Sequence, residues 1–398
     1  MKTSGDALQI EPNQSVSQAA GRIRLLDILR GFAVLGTLGT NIWIFANHEG
    51  INSFLTSDSV PWWNSLEGTI GMLFGILVNG KMLGMLTIMF GIGMEMKYQQ
   101  AMRRGKAWPG MYIWTALFLI GEGFIHFALV MEYDILMSYG LTALLTALIL
   151  KRGDRAIKRT MAWMGGLHVV AILALSIVLG VLFMGVTADL DLNLQDTALL
   201  YQQGSWLEQV QYRMDNFLAL RGEAILILPM NMFLFLLGVR LYRAGLFAMD
   251  EEGRHKRKKL MRYGLWIGVP LNALILLPNG VFLLTARYVF APILALGYIG
   301  VIGWVFDRRG KSPLWNRLEQ VGKMSLSSYV AQNIVASLIF YGWGLGLGGR
   351  VDHLTITFIF FVICLLQLGF AALWLRYFRL GPLESTRVAL LRRIQGNR

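Results

Sequence analysis

A single cysteine stands in the 398-residue sequence. Cys364 has no second cysteine to pair with and lies inside an apolar run, so an intrachain disulfide, thiol redox chemistry and cysteine-rich zinc sites are all excluded. Charge is scarce as well. Only 15% of residues are charged against 55% hydrophobic, and mean hydropathy is +0.52. A soluble core has no use for that much apolar surface, whereas a bilayer takes about 20 apolar residues per spanning helix. No H-E-x-x-H, Walker loop or Rossmann fingerprint appears. Residues Met1 to Gly21 are mostly polar and lack the apolar centre of a signal peptide, so the first apolar run is expected to insert uncleaved.

What is present is a succession of apolar runs at 25–46, 70–97, 109–130, 134–150, 160–186, 223–242, 260–278, 281–306, 324–347 and 354–378. Glycine is frequent, at 44 residues, which suits close helix contact in lipid. The formal net charge of +13 sits in short connections, where it sets topology; nucleic acid is not an expected partner. Basic residues crowd 97–106, 151–159, 240–262, 308–323 and the tail from Arg376. The alternate connections, 47–69, 131–133 and 278–280, have no Lys or Arg, 187–222 has Arg213 and Arg221 among five acids, and 348–353 has Arg350 alone. The positive-inside rule then predicts an all-α polytopic membrane helical bundle of about ten transmembrane helices, with both termini cytoplasmic. The expected organisation is a polar tail (1–22), an amino-terminal membrane region (23–243), a basic linker (244–259) and a carboxy-terminal membrane region (260–398).

Two segments fit less simply. Residues 65–97 would form a helix of about 50 Å, longer than the 30 Å hydrocarbon core. Two full spans split at Asn79-Gly80-Lys81 would put every later basic loop outside. A broken or tilted single span, or a shallow outer helix followed by a span, remains. The loop 187–222 has Leu199, Leu200, Trp206, Leu207, Val210 and Leu218 at helix-like spacing, which suits a helix on the outer membrane surface.

Ionisable groups inside spans are costly and mark candidate sites. Asp27 and Arg30 are three apart on the first span and read either as a local ion pair or as the foot of a polar stripe. Thr37 and Asn41 continue that stripe, Asn41 returning to the angle of Arg30 roughly 16 Å further out. Lys81 either snorkels from an interfacial helix or serves a site. Glu122 and His126 share a face, and Asp134 follows the outer turn. A histidine beside a carboxylate suits a general base held in one tautomer, or a packing hydrogen bond across a helical hairpin. Arg287 enters its span from outside, as a site residue or as a partner for one of the carboxylates. Ser325, Ser328 and Gln332, with Asn333 beside them, read as interhelical glue. His48, His168, His255 and His353 are weaker candidates, and Gly342–Gly349 reads as a close-packed outer helix end.

The stretch Arg24-Leu25-Leu26-Asp27-Ile28-Leu29-Arg30-Gly31-Phe32-Ala33, with Asn41, resembles the opening of the YeiB-like bacterial membrane proteins. Gly121 to His126 with Asp134-Ile135-Leu136 and Tyr139 resembles their second signature. Gly322–Tyr329, Phe340–Leu345 and Gly381–Glu384 resemble their carboxy-terminal domain. The first helix is in turn similar to that of the transmembrane acyltransferase superfamily, whose acyltransferase-three branch has Arg, ten residues, then His. Here Asn41 stands where that His would be. The heparan-glucosaminide branch also has Asn there and uses a His in the first outer region, where this sequence has only His48. No catalytic residue is therefore carried over.

The resemblance implies an enzyme of the bacterial cytoplasmic membrane, with acyl-CoA as cytoplasmic co-substrate and no metal. In that reading His126 and Asp134 are the catalytic candidates, and Arg30, Asn41, Lys81 and Arg287 the substrate-binding ones. The partners expected are the lipid bilayer, a small-molecule or glycan acceptor and a second copy of the chain as a homodimer. The alternative is a proton-coupled transporter or flippase using the same intramembrane charges.

Overall fold

The computed structural model describes residues 23–47, 62–185, 194–277 and 281–396. The amino-terminal tail, His48, Asp189, Asp191 and residues 278–280 lie outside the described residues. Among the described residues every regular element is helical.

In chain order the helices are α1 (Arg24–Ala46), α2 (Leu66–Leu77), α3 (Lys81–Arg103), α4 (Tyr112–Leu129), α5 (Leu136–Lys151) and α6 (Asp154–Gly185). Then come α7 (Leu194–Gln203), α8 (Trp206–Asp215), the short α9 (Phe217–Leu220) and α10 (Gly222–Leu226), α11 (Leu228–Arg243) and α12 (Glu251–Ala273). The last set is α13 (Leu283–Thr285), α14 (Ala291–Arg309), α15 (Pro313–Lys323), α16 (Ser325–Phe340), α17 (His353–Tyr377) and α18 (Pro382–Gly396). Each of the ten apolar runs carries helix among the described residues. The run 324–347 is helical only to Phe340: Gly342–Gly349, expected as a helix end, forms successive turns, two of its glycines having positive φ. Among the described residues six stretches are long and apolar enough to cross a membrane, and α5 and α16 are apolar but shorter. The chain is an all-α polytopic membrane bundle.

The outward faces support that conclusion. Trp163 on α6 and Phe358 on α17 are 72% and 67% exposed, a pattern that lipid tolerates and water does not. Lipid tails are as apolar as leucine, so burying Leu against Leu gains little; close backbone approach and polar pairs hold the helices. Gly31 and Gly322 let α1 and α15 touch backbone to backbone: a Cβ on Gly322 would lie 1.8 Å from the Asp27 carbonyl oxygen, and one on Gly31 1.9 Å from that of Leu318. Gly264 and Gly297 do the same for α12 and α14. A polar ladder joins α1, α16 and α17. Gln332 donates to Thr37 Oγ1 (3.1 Å), and Gln367 donates to the Ser328 carbonyl (2.7 Å) and to Gln332 Oε1 (3.1 Å). Thr37 and Gln332 thus serve as interhelical glue, each such bond worth on the order of 1 kcal/mol in a bilayer.

The long 65–97 segment breaks at Val78–Gly80, where Gly80 has φ +78°. Helix α2 has 12 residues, about 18 Å, too short to span, whereas α3 with 23 residues reaches about 34 Å and spans alone. α2 lies against the outer helix ends: Phe74 meets Trp43 edge-on, and His353 Nδ1 pairs with the Glu67 carbonyl at 2.8 Å. The basic run expected as a linker is a linker only to Asp250. Asp250 caps the next helix by accepting from Gly253 N (2.8 Å), and residues from Glu251 onward are the first turns of α12. Arg257 there is fully buried, holding Asp307 through two bonds (2.9 and 2.8 Å) and the Leu246 and Ala248 carbonyls (2.7 Å each). A charge counted toward topology is also an internal staple.

The segment 194–226 is amphipathic in an inverted sense. Leu207 and Leu218 are 67% and 81% exposed, while Gln209 and Arg213 are fully buried. Its polar side faces the bundle and its apolar side faces out, as expected for helices at a membrane interface packed over a polar site. Gly342 N, donating to the Tyr201 carbonyl (2.9 Å), and Gly349 N, donating to that of Ala46 (2.8 Å), tie the glycine-rich end to this layer.

Candidate functional site

Polar stripe and outer turn meet at one small cavity of about 60 Å³, partly open to its surroundings. α1 contributes Thr37, Thr40 and Asn41; the α4–α5 turn contributes Glu132, Tyr133 and Asp134; Arg221, Glu223, Asn231, Arg287 and Tyr329 complete its polar wall.

The α4–α5 turn is held open-backed by guanidinium groups. Arg221 donates to the carbonyls of Glu132 (3.1 Å) and Asp134 (2.8 Å) and rests on the Phe127 ring. Arg213 donates to the Ala128 carbonyl (2.9 Å), and Tyr201 donates to Glu132 Oε2 (2.6 Å). With the turn fixed, Asp134 accepts from Met137 N (2.8 Å) at the head of α5 and faces His126 Nδ1 at 3.0 Å. His126 and Asp134 are 2% and 3% exposed.

His126 Nε2 meets Asn333 Nδ2 at 3.1 Å, and Asn41 Nδ2 donates to Asn333 Oδ1 at 3.1 Å. An amide N–H can only donate, so Nε2 accepts and Nδ1 carries the proton toward Asp134. One directional chain results, Asn41 to Asn333 to His126 to Asp134, running from the polar stripe of α1 through α16 and α4. The ring of Tyr329 lies against His126, 5.2 Å between centroids.

Across the cavity, Arg287 sits in a π-helical turn, Ala286–Phe290, that leads into α14. Such turns are rare and concentrate at functional sites. Its guanidinium donates to Asn79 Oδ1 (2.6 Å) and reaches Glu223 Oε1 (3.4 Å), which also accepts from Tyr288 (2.6 Å). Gly80 is packed on this turn: a Cβ there would stand 2.5 Å from the Arg287 carbonyl oxygen. The break between α2 and α3 is therefore the seat of Arg287.

Asn41, Asp134 and Arg287 line one cavity, with His126 one hydrogen bond behind Asp134. Lys81 stands beside it, buried, its Nζ donating to the Gly75 carbonyl at 2.8 Å across the helix break. Arg30 does not line it; it pairs with Asp27 (3.4 Å) at the basic-loop end of α1. Glu122 turns away from His126, toward Arg387 at 3.8 Å. His168 packs on the Tyr288 carbonyl (3.0 Å). Arg221, Glu223, Glu132 and Asn231 were not singled out from the sequence. A signal existed: Gln209, Arg213 and Arg221 recur at multiples of four, and all three are buried.

Comparison with known proteins finds similarity to bacterial proteins whose names give no activity. Residues 241–392 match the family described as "Protein of unknown function (DUF418)". The chain is 25% identical over 385 residues to "Uncharacterized protein YxaH" of Bacillus subtilis, covering 91% of this chain and 92% of that protein. It is 27% identical over 390 residues to "Uncharacterized protein YeiB" of Escherichia coli, covering 90% and 93%. The YeiB-like character read from the motifs is thus shown, over nearly the full length. No solved structure matches. None of these similarities bears on acyl transfer or transport.

Proposed function

We propose that this protein is a transmembrane acyltransferase of the bacterial cytoplasmic membrane, moving an acyl group from cytoplasmic acyl-CoA to an extracytoplasmic acceptor such as a sugar. The observation that supports it is Asp134, which lines a cavity that also presents Arg287 and Asn41 and which holds His126 directly behind that wall. Asp134 fixes the tautomer in which His126 Nε2 is the base. Turning Asn333 aside frees Nε2 to take the proton of an acceptor hydroxyl or amine. The acceptor oxygen or nitrogen attacks the thioester carbonyl, Arg287 and Asn41 stabilise the oxyanion, the carbon–sulfur bond breaks, and the proton passes to the CoA thiolate.

The test uses radiolabelled acetyl-CoA with the purified protein in nanodiscs and a panel of sugar and amine acceptors. Transfer by wild type, lost in His126→Ala, is the expected result. Absence of transfer across the panel, with His126→Ala indistinguishable from wild type, refutes the proposal.

A second reading, a proton-coupled transporter or flippase, is favoured by one specific observation: His126 Nε2 is occupied by Asn333 rather than presented to the cavity. A chain of amides, imidazole and carboxylate suits proton movement as well as base catalysis. Proton-coupled uptake into liposomes, abolished by Asp134→Asn, would select this reading over the first.

A further inference from the structure

A second polar cluster lies at the other end of the bundle, on the side of the basic loops, which the positive-inside rule assigns to the cytoplasm. Its centre is Lys97 on α3. Lys97 is exposed, although three other helices surround it. Arg30 of α1 lies one turn away on the same face of α3, since a Cβ on Gly93 would be 3.2 Å from Arg30 Nη2. Tyr112 of α4 lies under the ammonium at 5.6 Å. Arg387 of α18 packs on the same helix as Tyr112, reaching Glu122 of α4 at 3.8 Å, and its charge and that of Arg30 both act on Lys97.

The carboxylates nearby are directed to partners other than Lys97. Glu95, the only carboxylate of α3, is turned to Arg243, with two bonds of 2.9 Å. Asp27 is directed to Arg30. Glu384 accepts from Leu326 N (2.8 Å), Ser327 N (3.3 Å) and the Ser327 hydroxyl, capping α16 and fixing α18 in place. Glu122 approaches Arg387 at 3.8 Å. No described carboxylate lies within salt-bridge distance of Lys97. Three cations from three helices thus gather around Lys97, which is exposed and has no carboxylate within salt-bridge distance among the described residues. Mutual repulsion of that kind is relieved by a multiply charged anion.

We propose that Lys97, Arg387 and Arg30 form a cytoplasm-facing binding site for a phosphate-bearing anion. The chemistry is that of a pyrophosphate or phosphoester, and it has two possible sources: a soluble phosphorylated donor or the phosphate of a lipid headgroup. In the acyl-transfer reading, on which only the natural donor's identity rests, this is where the donor phosphates bind. The site itself is tested without turnover.

The experiment is calorimetric titration of inorganic pyrophosphate into the full-length protein in nanodiscs of purely zwitterionic lipid. A parallel arm measures by native mass spectrometry how much phosphatidic acid is retained from mixed nanodiscs. Pyrophosphate binding weakened about tenfold or more by Lys97→Gln and by Arg387→Gln is the expected result for a soluble ligand. Glu122→Gln, which removes the carboxylate beside Arg387, should tighten it. Phosphatidic acid retention lost in the same two variants, without pyrophosphate binding, assigns the site to lipid. Failure to bind either probe, or binding unchanged in folded Lys97→Gln protein, overturns the proposal. Because nothing here reads acyl transfer, either outcome leaves the proposed enzyme activity to its own test.

Discussion

Replacing Asp134 by asparagine tests the hydrogen-bond chain at its anchored end. Asp134 accepts twice, from Met137 N at 2.8 Å and from His126 Nδ1 at 3.0 Å. An asparagine has one acceptor oxygen. If that oxygen stays on Met137 N, its NH₂ group faces Nδ1, which must give up its proton. The proton then resides on Nε2, opposite the Asn333 NH₂, so Asn333 must flip and in turn faces the NH₂ of Asn41. Somewhere in the chain one buried donor is left opposite another donor. Loss of a buried bond to a charged group costs about 1.5–3 kcal/mol. For a chain of this length that corresponds to a fall of roughly 2–4 °C in Tm. The single, buried Cys364 makes a thiol-reactive dye a direct reporter of unfolding. The same logic specifies a rescue. Asn333→Asp supplies an acceptor to a proton on Nε2 and to Asn41 Nδ2, so Asp134→Asn/Asn333→Asp restores every pairing with the carboxylate moved to the other side of His126. The double variant should melt above Asp134→Asn alone. A double variant less stable than either single change would refute the directional chain.

Two further outcomes follow from local geometry. Gly322→Ala, whose Cβ would meet the Asp27 carbonyl oxygen at 1.8 Å, should destabilise by about 1–3 kcal/mol, whereas Gly121→Ala, with nothing within 4 Å of the new methyl, should leave the same dye-monitored melt unchanged. The capping box of α8, with Ser205 N and Oγ donating to Glu208 at 2.7 and 2.8 Å, holds the Glu208 carboxyl below the usual carboxylate range. A depressed folded value means that its contribution is present above the unfolded carboxylate pKa and lost as pH falls through the lower, folded one. Amide exchange in the first turn of α8 should therefore rise in acid, and Glu208→Gln should flatten that dependence.

Topology was legible because charge in loops and apolarity in spans are separate signals written along the chain. The ten runs needed no contacts to be read. The break at Asn79–Gly80 was visible as a length conflict but not as a seat for Arg287, because the π-helical turn opposite it depends on packing between residues more than 200 positions apart. The basic run near Arg257 misled for a related reason. Its composition is that of a solvated linker, and only its pairing with Asp307 across α14 makes one of its arginines internal. Glu122 and His126 share a face by spacing alone, yet their partners lie on different elements, Arg387 and Asp134. Spacing assigns a face; it does not assign a depth or a neighbour.

The polar stripe of α1 gains its meaning from the two ends it connects. At one end Asn41 enters the chain to His126 and the outer cavity; at the other Arg30 lies against Gly93 of α3, one turn from Lys97. Between them the stripe is closed by the Thr37–Gln332–Gln367 ladder. An ionisable site exposed at one face alone would need neither a second cluster nor a polar helix between them, and each buried polar group in lipid is costly. Two clusters joined by one helix suit a protein that handles ligands from both sides of the membrane. Acyl transfer and transport share that demand. They differ in whether the Thr37–Gln332–Gln367 ladder must open for a solute to pass or only for a thioester arm to reach His126. Replacing Gln332 by leucine seals the ladder with an apolar side chain, so solute flux should stop in a transporter. A transferase in which the arm takes another route would keep its turnover.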